Sequence, residues 1–101
     1  MKRKHYTNAS KEVRLEVWER DNRHCIICSS PSMLTFAHFI GRGQGGLGIK
    51  ENLVTLCMEC HHQADNGKET RKYKDCMRNY LEELYPSFSD EERKHNKWKQ
   101  F

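Results

Sequence analysis

Apolar positions come in short groups whose spacing changes along the 101-residue chain. Val13 and Val17 lie on one face, widened by Trp18, behind the helix-capping type Ser10; they predict a helix from about Ser10 to Arg20, ended by Asp21 and Asn22. Met33 to Ile40 reads Met-Leu-Thr-Phe-Ala-His-Phe-Ile, an apolar and aromatic run that suits a short strand or the first arm of a hairpin. Five glycines in the eight residues Gly41 to Gly48 then exclude regular structure and read as a long, mobile loop. Leu53, Val54 and Leu56 lead into a short helix, Met58 to Asn66, closed by Gly67. Tyr73, Met77, Tyr80 and Leu84 recur at helical spacing, which predicts a core-facing helix from Lys68 to Leu84, stopped by Pro86. Ser89-Asp90-Glu91-Glu92 is a capping box that opens a last, polar helix to about Trp98.

With 36% hydrophobic residues in one small domain, the core is expected to be too thin to hold without a further stabilising device. No apolar run is long enough for a signal peptide or a membrane span, which gives the expectation of a soluble, cytoplasmic protein. Lys and Arg make up 18 residues and the net charge is +4, so charge alone permits a nucleic-acid partner and equally permits a solvated, charged surface. The last predicted helix carries Arg93, Lys94, His95, Lys97 and Lys99, a face suited to lying on DNA.

Cysteine spacing changes this picture. Cys25/Cys28 and Cys57/Cys60 form two CxxC pairs with 28 residues between them, enough for the chain to fold back and present four thiolates to one structural zinc ion. In a reducing compartment this pattern favours metal over disulfides, and the fifth cysteine, Cys76, is expected on a helix face in the core. The second pair runs into His61, His62 and Asp65; His61 and Asp65 are i and i+4, so one helix face presents both. The glycine loop lacks the Lys-Ser/Thr ending of a nucleotide P-loop, and its Arg42 is instead a candidate phosphate contact.

From about Cys25 to Asp65 the residues resemble the HNH endonucleases. The letters fall on His38 in Ala37-His38-Phe39-Ile40, Asn52 in Glu51-Asn52-Leu53-Val54-Thr55-Leu56-Cys57, and His61 after Cys60, with Gly45-Gly46 similar as well. The resemblance implies an α+β fold: a small ββα-metal, treble-clef-like core with structural zinc at residues 25–67. Around it a single domain would carry a flexible basic arm (1–9), an N-terminal helix (10–24) and C-terminal helices (68–101). It further implies DNA hydrolysis to 5′-phosphate and 3′-hydroxyl ends, with His38 as general base and His61 and Asp65 holding one divalent ion. A carboxylate in that pair favours Mg²⁺ or Mn²⁺. In such proteins Asn52 either orients the loop that bears the base or ligates the metal, and both roles stay open here. Ala37 departs from the pattern, because the residue before the base usually ligates the catalytic metal; metal binding without DNA is therefore expected to be weak.

Arg42, Lys68, Arg71 and Lys72 are the candidate DNA-backbone contacts, and His62, about 100° around the helix from His61, is a further one. Small proteins that resemble this one are frequent in phages and prophages, where they serve larger DNA-processing machines. The rival readings are a noncatalytic zinc-stabilised module that binds nucleic acid, and a zinc-stabilised protein-interaction domain.

Overall fold

In the computed structural model, which describes residues 7–94, helix α1 (Lys11–Arg20) starts at Ser10, whose Oγ accepts the Val13 N–H at 3.1 Å. The helix stops at Asp21, and Asn22 and Arg23 follow with positive φ. Strand β1 (Leu34–His38) and strand β2 (Leu53–Cys57) form an antiparallel pair with Leu34 opposite Cys57 and His38 opposite Leu53. Helix α2 (Met58–Asn66) leaves β2 without a linker, and helix α3 (Thr70–Leu84) packs against it. The result is a small α+β fold with a two-stranded sheet, in which no described helix is long and apolar enough to cross a membrane.

Every residue of β2 is buried, which a two-stranded sheet achieves only when both faces are covered. Val54 and Leu56 join Ala37, Ala64, Met77 and Leu81 on the side of α2 and α3, while α1 packs on β2 as well. The alternation of a strand turns Leu53 and Thr55 the other way. Among the described residues eleven apolar side chains are buried, and three of them, Cys25, Cys57 and Cys60, are cysteines. The expectation of a thin core is thus met in a specific manner, with thiols occupying its centre.

A polar knot joins the layers. Asp21, which the sequence offered only as a helix stop, is buried and accepts from Arg20 Nε at 2.7 Å, the Tyr80 hydroxyl at 2.6 Å and the Thr55 N–H at 2.8 Å. Arg20 in turn donates to the carbonyls of Lys50 at 2.8 Å and Leu53 at 2.7 Å. Burial, and next the hydrogen bond to Asp21, push the Tyr80 hydroxyl up to about 12, so it stays a donor. Buried charge of this kind is tolerated because every partner is present.

Four expectations are corrected. The stripe on α3 passes from Met77 to Leu81 and Tyr85 rather than to Leu84, which is 40% exposed, because the face advances by i+4 steps. Cys76 is exposed, since one residue before Met77 lies about 100° away from the core face. The capping box forms, with the Glu92 N–H on Ser89 Oγ at 3.2 Å and the Ser89 N–H on Glu92 Oε1 at 2.8 Å, yet it opens only one 3₁₀ turn, Glu91–Arg93. Arg93 is drawn inward to the Glu51 carbonyl at 2.7 Å and Lys94 turns extended to bridge Gly46, so no DNA-facing helix continues through Lys94; residues 95–98 lie outside the described residues. Finally, Thr7, Asn8 and Ala9 are not a free arm but pack on the glycine segment and β1, whereas residues 1–6 lie outside the described ones.

Candidate metal centre and active site

The two CxxC turns meet at the end of the sheet. The first is sewn to β2 by the Ile26 N–H on the Thr55 carbonyl at 3.0 Å, and the second is the first turn of α2, with Cys57 as N-cap accepting the Cys60 N–H at 3.4 Å. All four sulfurs lie within 4.8 Å of one another, and Cys28 Sγ is 3.6 Å from Cys57 Sγ. A tetrahedral zinc with Zn–S bonds of 2.3 Å sets sulfurs about 3.8 Å apart, so this donor set fits zinc in number, type and spacing. Burial raises the Cys25 thiol, but N–H groups of Cys28, Cys57 and Ile27 outweigh it and bring it down to about 7. Cys60 moves well up, through burial and the neighbouring thiols of Cys57 and Cys25. Four thiolates packed this closely need a dication between them.

Past that cluster, α2 presents His61 and Asp65 one turn apart, with His61 Nε2 3.3 Å from Asp65 Oδ2. His38, at the end of β1, faces the same space: a cavity of about 290 Å³ lined by Phe36, His38, Gly41, Arg42, His61 and Asp65. Four residues singled out in the sequence, His38, Arg42, His61 and Asp65, therefore share one cleft. His38 Nε2 lies 2.8 Å from the Thr7 carbonyl. A carbonyl only accepts, so Nε2 carries the proton and Nδ1 keeps the lone pair. Burial lowers the His38 pKa; the Thr7 carbonyl opposes this, and Arg42, His61 and Lys74 lower it further. His38 is thereby held neutral at neutral pH.

Asn52 is held by the backbone around the glycine segment. Its amide is fully buried, accepts the Ile40 N–H at 2.9 Å and donates to the Ile40 carbonyl at 3.1 Å and the Leu47 carbonyl at 3.0 Å. It clasps the two ends of the glycine segment. That segment is correspondingly not a loose loop. A 3₁₀ turn spans Arg42–Gln44, and Gly46 runs so close to Ile40 that a Cβ would stand 1.7 Å from its carbonyl oxygen. Replacing Asn52 with Ala is expected to destabilise the zinc-loaded protein by about 2–4 kcal/mol, because three part-buried backbone groups lose a partner and the buried amide leaves a gap. Asn52→Asp should be no better, since a carboxylate would face two carbonyls; urea unfolding of both variants checks this, and a stable Asp variant would contradict the clasp.

Lys68, Arg71, Lys72 and His62 are exposed and line no part of this cleft. Lys74, not singled out in the sequence, is the better-placed cation: half-buried on α3, it donates to the Phe39 carbonyl at 2.8 Å beside the end of β1. The i, i+4 pair Lys74 and Arg78 was visible as a basic helix face, but nothing local told which strand it would meet. Ala37 is buried in the apolar cluster, so its position contributes no donor to the cleft.

Residues 25–67, the stretch holding both cysteine pairs and all of His38, Asn52, His61 and Asp65, match the model of the HNH endonuclease family. This segment belongs to the HNH endonucleases. The chain also resembles the solved Type IV phosphorothioation-dependent restriction endonuclease ScoMcrA, with a TM-score of 0.64 and 17% identity over 77% of this chain. That likeness is one of fold, and the chain spans only 19% of the ScoMcrA chain. No curated protein matches.

Proposed function

We propose that this HNH protein is a metal-dependent DNA endonuclease that leaves 5′-phosphate and 3′-hydroxyl ends. The single observation that carries the reading is the cleft that His38, its Nε2 held by the Thr7 carbonyl, lines together with the His61–Asp65 pair. His38 Nδ1 takes a proton from a water that attacks phosphorus, the P–O3′ bond breaks, and the leaving 3′ oxygen takes a proton from a second water, the hydroxide so formed being neutralised by the proton His38 releases to solvent. His61 and Asp65, one nitrogen and one oxygen donor, suit a divalent ion such as Mg²⁺ or Mn²⁺, which when bound supplies positive charge to the phosphate and the leaving oxygen. Arg42 lines the cleft and Lys74 stands beside it, both placed to draw a phosphate in and offset its charge. Lys68, Arg71 and Lys72 are proposed as outer backbone contacts, felt mainly in the salt dependence of binding. Asn52 acts by fixing the segment that follows the base.

A noncatalytic DNA-binding module is the second reading, favoured by Ala37, which leaves His61 and Asp65 as the two side-chain donors in the cleft for a divalent ion. End-labelled duplex DNA with the zinc-loaded protein and Mn²⁺ separates the two. Cleavage products bearing 5′-phosphates are expected, whereas retarded but intact duplex under all metals would select the module.

The pH profile gives an independent check. A base must be unprotonated to work, and burial together with nearby cations places His38 below its ordinary value of 6.5. Cleavage should therefore hold at its plateau at pH 7 and fall only as pH drops through a midpoint below 6.5. A midpoint above 7 would contradict the assignment.

A further inference from the structure

We propose that Thr35 is a positioning residue that dictates which ring nitrogen of His61 meets the catalytic ion. The inference rests on the reading of His61 as a metal ligand and adds to it an atom and a cause. The Thr35 hydroxyl oxygen lies 2.8 Å from the Leu56 carbonyl, its cross-strand partner, and 2.7 Å from His61 Nδ1. A hydroxyl has one proton. If that proton pointed to the imidazole, two bare oxygens would face each other at 2.8 Å, a repulsive contact; it must therefore go to Leu56. Thr35 Oγ1 can then only accept from His61, so Nδ1 carries a hydrogen.

The ring is left with one nitrogen able to offer a lone pair, Nε2, and this is the nitrogen that stands 3.3 Å from Asp65 Oδ2 on the cleft side. The chain Leu56 carbonyl, Thr35 hydroxyl, His61 Nδ1–H thus runs from the backbone of β2 through a side chain of β1 to α2. It keeps a hydrogen on Nδ1 and fixes the ring orientation, so that Nε2 is the nitrogen turned to Asp65 and to any ion bound there. Such an outer hydrogen bond matters most where protein donors are few, as in this cleft, because an ion held by two side chains gains little from its other contacts. The residue lies three positions before the general base on the same strand, so one strand orients both imidazoles by separate means.

Nitrogen-15 correlation spectra of the zinc-loaded wild type test the first step without any catalysis. His61 should show a protonated Nδ1 and, when neutral, a bare Nε2; the opposite tautomer overturns the proposal, whatever the nuclease assay gives. The second step is read by Mn²⁺ binding, followed through water proton relaxation, in Thr35→Val and Thr35→Ser. Valine keeps the shape and removes the acceptor, so the Mn²⁺ dissociation constant should rise about tenfold or more, with the zinc content unchanged. Serine keeps the hydroxyl and should restore binding. If valine binds Mn²⁺ as the wild type does, or serine fails as valine does, Thr35 has no positioning role. Correct tautomer and Mn²⁺ dependence with no DNA cleavage would instead sink the nuclease reading and leave this one standing.

Discussion

Replacing Cys57 with serine is expected to unfold the domain rather than merely weaken it. Cys57 ends β2, caps α2, accepts the Cys60 N–H and lies among the four clustered sulfurs. Zinc binding in small domains contributes on the order of 10 kcal/mol apparent at neutral pH. Total stability is about 5–15 kcal/mol for a typical domain, so no reserve of that size exists elsewhere in so small a core. Circular dichroism together with zinc quantification checks the outcome: helical signal and bound zinc should disappear together, and a strong chelator should do the same to the wild type. A variant that loses zinc but keeps its spectrum and a cooperative thermal transition would contradict the metal-centred core.

His38→Ala carries the second large effect. It should slow DNA cleavage by at least about 100-fold, the usual scale for losing a positioned general base. Zinc content and helical signal should be unchanged, since the side chain is only half-buried and, among the described residues, hydrogen-bonds the Thr7 carbonyl. His38→Gln, which can still donate to that carbonyl, should be as slow as alanine. That pairing separates loss of the base from loss of the contact with Thr7.

Sequence signals are legible where the physics is local. Ser10 and Asn66–Gly67 each mark a helix end, and the Ser89–Glu92 box a single 3₁₀ turn, through bonds spanning a few residues. CxxC spacing constrains sulfur geometry almost by itself, and i, i+4 spacing put His61 and Asp65 together. What stayed hidden depends on partners far along the chain. Asp21 looked like a stop signal and is the acceptor for Tyr80, 59 positions away. Arg93 looked like a surface cation and is buried because the Glu51 carbonyl, 42 positions earlier, needs a donor.

The glycine segment looked mobile because composition reports what a backbone is free to do, not what restrains it. Its restraint comes from one side chain, Asn52, and from the approach of Asn8 and Ala9 to Gly48. The same limit applied to the cleft. Its histidines, carboxylate and loop arginine were legible in the sequence, whereas Lys74 and the Thr35 hydroxyl became visible only once the strand pairing had set them beside Phe39 and His61.

The most direct measurement is a time course of supercoiled plasmid incubated with zinc-loaded protein in Mg²⁺ or Mn²⁺, run side by side for the wild type and His38→Ala. Conversion to open-circular or linear DNA by the wild type alone, abolished by removing the divalent ion, is the expected result. Equal cleavage by both proteins would contradict the account, and so would a wild type that binds the plasmid and leaves it intact.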